Sequence, residues 1–147
     1  NNVFNLKTRS IRKINDLILL DKIGQGGFGE VYNGFLEPDQ FTIFAVKKID
    51  KKRLISQNLT KYFDSEISIL SNINHKNVIK LITTRQTVNS HYIVQEYAEG
   101  GSLLNLIKTF QNDKKEINQA SVGMEIRLVA KIFEQIVSAL KYLHSKG

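Results

Sequence analysis

The segment Ile23-Gly24-Gln25-Gly26-Gly27-Phe28-Gly29-Glu30-Val31 limits what this chain can fold into more than any other stretch. Glycine has no Cβ, so the backbone there can adopt positive φ or approach another group closely. Successive N–H groups can then converge on phosphate oxygens. The spacing by itself also fits a dinucleotide-binding turn or a plain hairpin, so its flanks decide. Leu17-Ile18-Leu19-Leu20-Asp21-Lys22-Ile23 predicts a strand before the glycines, and Glu30-Val31-Tyr32-Asn33-Gly34-Phe35-Leu36 predicts one after them. A dinucleotide-binding unit opens a helix at that point. A Walker-type loop carries Gly-Lys-Ser/Thr, which the chain lacks. Strand, glycine turn and strand together make a flap able to fold over a nucleotide.

The remaining elements follow from period and punctuation. Glu37-Pro38-Asp39-Gln40 is a turn, and Phe41 to Ile49 a third, β-branched and aromatic strand. Connections this short join antiparallel neighbours, because a parallel crossover needs a dozen residues or more. Phe63, Ile67, Leu70 and Ile73 recur at helical spacing and predict a helix over 60–73. Val78–Thr84 and His91–Tyr97 are two more strands, separated by a polar turn at Asn89-Ser90. Ser102 can cap a short helix reaching about Phe110, while residues 111–123 look polar and linker-like. Ile126, Val129, Phe133, Ile136, Leu140 and Leu143 mark a final amphipathic helix within 124–145. Leu70 and Leu81 suit an apolar core. The expectation is an α+β chain with a five-stranded antiparallel sheet and one helix, followed by helices.

Composition removes several function classes. At 41% hydrophobic and 24% charged the chain is ordinary globular material, not disordered. It has no cysteine, hence no disulfide framework, thiolate metal site or thiol nucleophile. Its apolar runs are far shorter than the roughly 20 residues of a membrane span, and no secretory signal is visible. A cytoplasmic location is therefore expected. The net charge of +7 is densest at Lys47-Lys48-Ile49-Asp50-Lys51-Lys52-Arg53. That run predicts a solvated strand end and turn. With no aromatic residues among the charges it is no nucleic-acid stripe, although it can attract anionic ligands. The chain begins Asn1-Asn2 and its one methionine is Met124, which suggests a segment of a longer protein.

Strand alternation places Ala45 and Lys47 on one face, Phe44 and Val46 on the other. Ala45 leaves room for a flat base, and Lys47 can reach phosphates. A lysine with that task needs a carboxylate to orient it, and Glu66 is the candidate. It lies on the predicted helix at i−4 and i−7 from Leu70 and Ile73, a face expected to turn to the core. Taken singly, Lys47 could equally be a surface cation and Glu66 an exposed helix residue.

Together these features resemble the eukaryotic protein kinase family. Five segments stand in the family's order: Gly24–Val31, Ala45-Val46-Lys47, Glu66 in Glu66-Ile67-Ser68-Ile69-Leu70, Ile73-Asn74-His75-Lys76-Asn77-Val78-Ile79-Lys80-Leu81, and Tyr92-Ile93-Val94-Gln95-Glu96-Tyr97-Ala98-Glu99-Gly100-Gly101-Ser102-Leu103. The resemblance covers about residues 15–147 and implies three regions: a lead-in at 1–14, a small lobe at 15–97, and at 98–147 the hinge with the start of an incomplete helical large lobe. It implies a nucleotide site of Ile23, Gly24, Gln25, Gly26, Gly27, Phe28, Gly29, Val31, Ala45, Lys47, Glu96 and Ala98. The glycines would cover the ATP phosphates, with Phe28 at the flap tip. Val31 and Ala45 would sandwich adenine, while Lys47 holds the α- and β-phosphates with Glu66 as ion partner. Glu96 and Ala98 would offer backbone groups to the adenine edge, with Gln95 at the back of the pocket. Leu70 and Leu81 match positions that stack between lobes. Ser102 stands near the ribose, where many relatives carry an acid.

The family's His-Arg-Asp and Asp-Phe-Gly sequences do not occur. His75, His91 and His144 precede Lys76, Tyr92 and Ser145. The resemblance thus implies ATP as cofactor, Mg²⁺ for a complete domain with its ligands absent here, and protein hydroxyls as substrate. No catalytic residue is assigned within the segment. The remainder of the large lobe would cover 124–145. Two readings stay open: a piece of a protein kinase, Ser/Thr-specific on family frequency, and a non-catalytic nucleotide- or partner-binding module. A dinucleotide-dependent oxidoreductase is disfavoured by the strand after the glycines.

Overall fold

A computed structural model describes residues 11–27, 29–116 and 124–146. The chain divides into two compact units. One runs to Ile73 and resumes over Ile79–Tyr97; the other comprises Asn74–Val78 and the residues from Ala98 onward.

The first unit holds β1 (Arg12–Ile14), β2 (Leu17–Gly26), β3 (Gly29–Leu36), β4 (Asp39–Asp50), α1 (Lys51–Ser56), α2 (Thr60–Ser71), β5 (Leu81–Gln86) and β6 (Ser90–Glu96). The strands form one sheet in the order β1-β2-β3-β4-β6-β5, antiparallel at every pairing. The α+β expectation therefore holds, and the five expected strands are joined by a sixth. β1 falls at the end of what the sequence suggested was a lead-in. A two-residue turn, Asn15-Asp16, folds it back on β2. Asn15 has φ of 55°, a left-handed conformation that asparagine tolerates. The turn lets Ile14 reach the core.

Two apolar clusters lie on the two faces of this sheet. Leu17, Leu19, Tyr32, Val46, Tyr92 and Val94 bury together on one. Ile49 and Ile93 bury on the other, with Leu54 of α1 and Phe63 of α2 packed over them. Burial of side chains this size is worth about 1.5–3 kcal/mol each. Leu54 also explains α1, which the basic run 47–53 did not suggest. The Asp50 carboxylate caps that helix by accepting the Arg53 N–H at 3.1 Å, and Leu54 anchors it. The basic run is thus a strand end and a helical turn.

β1 and β5 are the outer strands, yet an ion pair links their ends. Arg85 of β5 donates to Asp16, in the turn after β1, from Nε at 2.7 Å and from Nη2 at 2.8 Å. The sheet curls far enough for its opposite edges to share a bidentate pair. The Arg85 hydrogen bonds hold the Asp16 carboxyl down at about 2, outweighing the opposing effect of desolvation.

The second unit contains α3 (Leu103–Glu116) and α4 (Ile126–His144). Ser102 caps α3 as expected, its Oγ accepting the Asn105 N–H at 3.2 Å. The helix continues past the expected end near Phe110, taking in residues 111–116 of the supposed linker. Residues 117–123 and residues 1–10 of the lead-in lie outside the described residues. The loop 74–78 docks on α4. Asn74 donates its backbone N–H to Tyr142 Oη at 3.0 Å, and His75 Nε2 lies 3.2 Å from Ser138 Oγ. Asn77 N–H donates to His75 Nδ1 at 3.1 Å, which assigns Nδ1 as acceptor and Nε2 as donor. The apolar stripe of α4 contains no buried residue.

Candidate nucleotide site

Register fixes which side chains share a face, since directly opposed residues in a sheet point the same way. Gly24 opposes Val31, Val31 opposes Lys47, and Lys47 opposes Ile93. One step along, Asn33 opposes Ala45 and Ala45 opposes Gln95. Val31, Ala45, Lys47 and Gln95 therefore line one face, the face that carries α2. Alternation had put Ala45 and Lys47 together, and the structure does the same.

Between Lys22 and Gly24 the β2–β3 register slips by one residue, leaving Ile23 as an extra residue at the base of the flap. The flap then closes with Gly26 opposite Gly29. Phe28, expected at its tip, lies outside the described residues. Among the described flap glycines none has positive φ, so chain approach and open space explain them instead. A Cβ on Gly29 would collide with the Lys48 carbonyl of the adjacent strand. At Gly26 and Gly27 an added Cβ would meet nothing within 4 Å. The protein's own packing does not require glycine at those two positions. Their backbone is open on the Cβ side, which leaves room for a ligand to approach it. Gln25 contributes backbone only, because its side chain accepts from Lys22 Nζ at 3.0 Å on the opposite face.

Lys47 Nζ stands 3.8 Å from Glu66 Oε1. The structure thus unites a strand residue and a helix residue that the sequence could only nominate. Glu66 does not face the core as expected. Its side chain is 52% exposed, because Phe63 and Ile67 take the positions against the sheet. An ion pair this open contributes about 0–1 kcal/mol to stability. Its value lies in where it holds the lysine. Lys47 and Glu66 are the two charged members of a pocket of about 280 Å³, otherwise lined by Ile49, Leu54, Leu59, Tyr62 and Phe63.

The backbone positions meant for the adenine edge are partly committed. Glu96 donates its N–H to the Lys80 carbonyl at 2.9 Å. The Ala98 carbonyl accepts the Gly101 N–H at 3.4 Å. Glu96 belongs to the first unit and Ala98 to the second. Leu81 packs against the cluster containing Phe63 and Ile93, and Leu70 is half-buried on α2. Among the described residues no group of three or more His, Cys, Asp or Glu is arranged to hold a metal ion. No described helix is long and apolar enough to cross a membrane.

Sequence reasoning missed a carboxylate beside the flap. Glu30 Oε1 accepts from Lys22 Nζ at 2.8 Å, and Oε2 from Lys48 Nζ at 3.3 Å and Tyr32 Oη at 3.0 Å. Hydrogen bonds from Lys22 first, then Tyr32 and Lys48, hold the Glu30 carboxyl down at about 2. The signal was the alternation of charges at 22, 30 and 48 across three neighbouring strands, visible only once their register is known.

The arrangement offers binding chemistry for a polyanion: a cation held beside a carboxylate, an open glycine backbone on the adjoining strands, and a small residue on the same face. The model of the protein kinase domain matches residues 17–147. MAP3K epsilon protein kinase 1 of Arabidopsis thaliana is 34% identical over 133 residues, covering 90% of this chain and 9% of that protein. The 3-phosphoinositide-dependent protein kinase B of Dictyostelium discoideum is 32% identical, over 90% of this chain and 13% of its own length. The serine/threonine-protein kinase ATG1 of Komagataella pastoris is 29% identical, over 92% and 18%. The chain spans less than a fifth of each of these relatives. A family match running from the first long strand to the last helix, on a sheet that carries the lysine, its carboxylate and the flap on neighbouring strands and a packed helix, makes this chain a member of the protein kinase family.

Proposed function

We propose that this chain is the ATP-holding part of a protein kinase which, in its complete form, transfers the γ-phosphoryl group of ATP to serine or threonine hydroxyls of protein substrates. The observation that carries this reading is the Lys47–Glu66 pair at 3.8 Å on the sheet face that also bears Val31 and Ala45. Phosphoryl transfer depends mostly on positioning and on charge neutralisation, so a held lysine and a glycine flap are the parts such a reaction needs from this region. The relatives named as serine/threonine kinases support the choice of hydroxyl. In this reading residues 15–97 form the small lobe, and 98–147 the hinge and the beginning of the large lobe.

Lys47 would hold the α- and β-phosphates, the flap backbone at Gly24, Gly26 and Gly27 would lie over them, and the Glu96 backbone would meet the adenine edge. Mg²⁺, when bound in the complete domain, supplies further neutralisation of the phosphates. The 147 residues contain neither His-Arg-Asp nor Asp-Phe-Gly, so this chain alone is expected to hold nucleotide without turning it over. The test is labelled ATP with a protein acceptor, using the complete protein. Phosphoserine or phosphothreonine that disappears in Lys47→Met supports the proposal. ATP binding without transfer in the complete protein would favour a non-catalytic module. Transfer unaffected by Lys47→Met would overturn it.

A further inference from the structure

Glu30 occupies a position that the nucleotide site does not explain. Its side chain is on the face opposite Lys47, so it does not point toward the proposed phosphate cradle. On that opposite face it sits at the meeting of three strands. Gln25 of β2 opposes it on one side and Lys48 of β4 on the other. Its two oxygens take hydrogen bonds from Lys22 of β2, Lys48 of β4 and Tyr32 of its own strand. Lys22 in turn holds the Gln25 side chain. Both strands of the flap are thereby tied to β4, the strand that carries Lys47. Tyr32 roots the network in the apolar cluster below.

Next to the flap tip the β2–β3 register rests on backbone pairing. The last pairings before the tip are Gln25 with Glu30 and Gly26 with Gly29. The register has already slipped twice along β2, and the glycines bring no side chains to pin it. A one-residue slip would turn the flap's outward face inward.

Resting on the proposed ATP reading, we infer that Glu30 is a positioning residue for phosphate recognition: bridging Lys22 and Lys48 from the outer face, it fixes the height and register of the glycine flap above Lys47. The ligand portion that feels it is the triphosphate, not the base.

That claim has a sign which separates it from simple electrostatics. Removing a carboxylate near the site, without any mechanical role, leaves two lysines less compensated and tightens binding of a polyanion. Loss of a strut weakens it. The experiment measures ATP and adenosine affinity by calorimetry on the full chain for wild type, Glu30→Ala, Glu30→Gln and Lys47→Met. Expected are a loss of about fivefold or more in ATP affinity for Glu30→Ala, a smaller loss for Glu30→Gln, which keeps an acceptor, and adenosine affinity unchanged for both. Lys47→Met reports on the underlying reading: if it leaves ATP affinity unaltered, the ATP site itself is misplaced and the inference falls with it. If Lys47→Met weakens ATP while the Glu30 variants bind ATP as well as or better than wild type, the strut alone is refuted. Equal losses for ATP and adenosine would make Glu30 a general stability residue and likewise refute it.

Discussion

The two units are built from similar proportions of apolar sequence and bury it very differently. In the first, residues such as Leu17, Val46, Ile93 and Val94 are withdrawn from solvent almost completely. In the second, Phe133, Ile136 and Leu140 of α4 remain 66%, 45% and 46% exposed. A curled sheet has two faces, and its own Leu and Val side chains fill one while α1 and α2 cover the other. The described part of the second unit offers two helices and the loop 74–78. α3 and α4 share a pocket of about 300 Å³ lined by Leu103, Ile107, Met124 and Phe133 among others, and among the described residues no member of the α4 stripe is buried. Hydrophobic periodicity predicts a helix equally well in both cases, whereas burial depends on what else is present to pack against.

Substitutions in the two cores break this comparison most sharply. Leu17→Ala should cost about 2–5 kcal/mol, the usual range for deleting a fully buried leucine. Phe133→Ala, at a side chain two-thirds exposed, should stay near 0.5 kcal/mol, as for surface positions. Chemical denaturation of the 147-residue chain measures both. Equal costs would mean α4 is covered in solution.

A smaller contrast lies within the flap. Gly29→Ala forces a Cβ onto the Lys48 carbonyl, and overpacking of this kind costs about 1–3 kcal/mol. Gly26→Ala meets open space and should leave thermal stability unaltered while weakening ATP. A Gly26→Ala variant less stable than Gly29→Ala would show that the assignment of structural and ligand-facing glycines is inverted.

The edge-to-edge pair gives the gentlest effect, and a pH signature. Asp16 has its folded-state value lowered to about 2, against roughly 3.9 for an unperturbed aspartate. A depressed value means the contribution is complete above the unfolded value and is lost as pH falls through the folded one. The melting temperature of wild type should therefore exceed that of Asp16→Asn by a constant margin above about pH 5, and the two should converge toward pH 2. A margin unchanged at low pH would separate the pair from the charge of Asp16.

Much of the sheet was legible because β-branched and aromatic runs punctuated by Gly, Pro and Asn have few other solutions. β1 was not, since three residues carry no period and Arg85, which pairs with Asp16 in the turn after it, lies far along the chain. Helix α1 hid behind lysines, although Asp50 three residues before Arg53 was a capping signal. β5 was expected from Val78. Instead Val78 accompanies His75 and Asn77 in the loop that docks on α4, and pairing begins at Leu81. Helix α3 ran past its expected end because lysine, glutamate and glutamine form helix without leaving an apolar mark. At the site, Lys47, Glu66 and the glycines could be named from sequence. The exposure of Glu66 and the contacts of Glu30 could not, because both depend on register and packing between elements.

The central claim is that Glu66 acts on ATP only through Lys47. A double-mutant cycle on ATP affinity, with Lys47→Met, Glu66→Gln and the pair together, tests it most directly. The account predicts that Lys47→Met weakens ATP strongly, that Glu66→Gln weakens it less, and that the double variant is no weaker than Lys47→Met alone, with melting temperatures shifted little throughout. Additive losses, or ATP bound by Lys47→Met as tightly as by wild type, would contradict it.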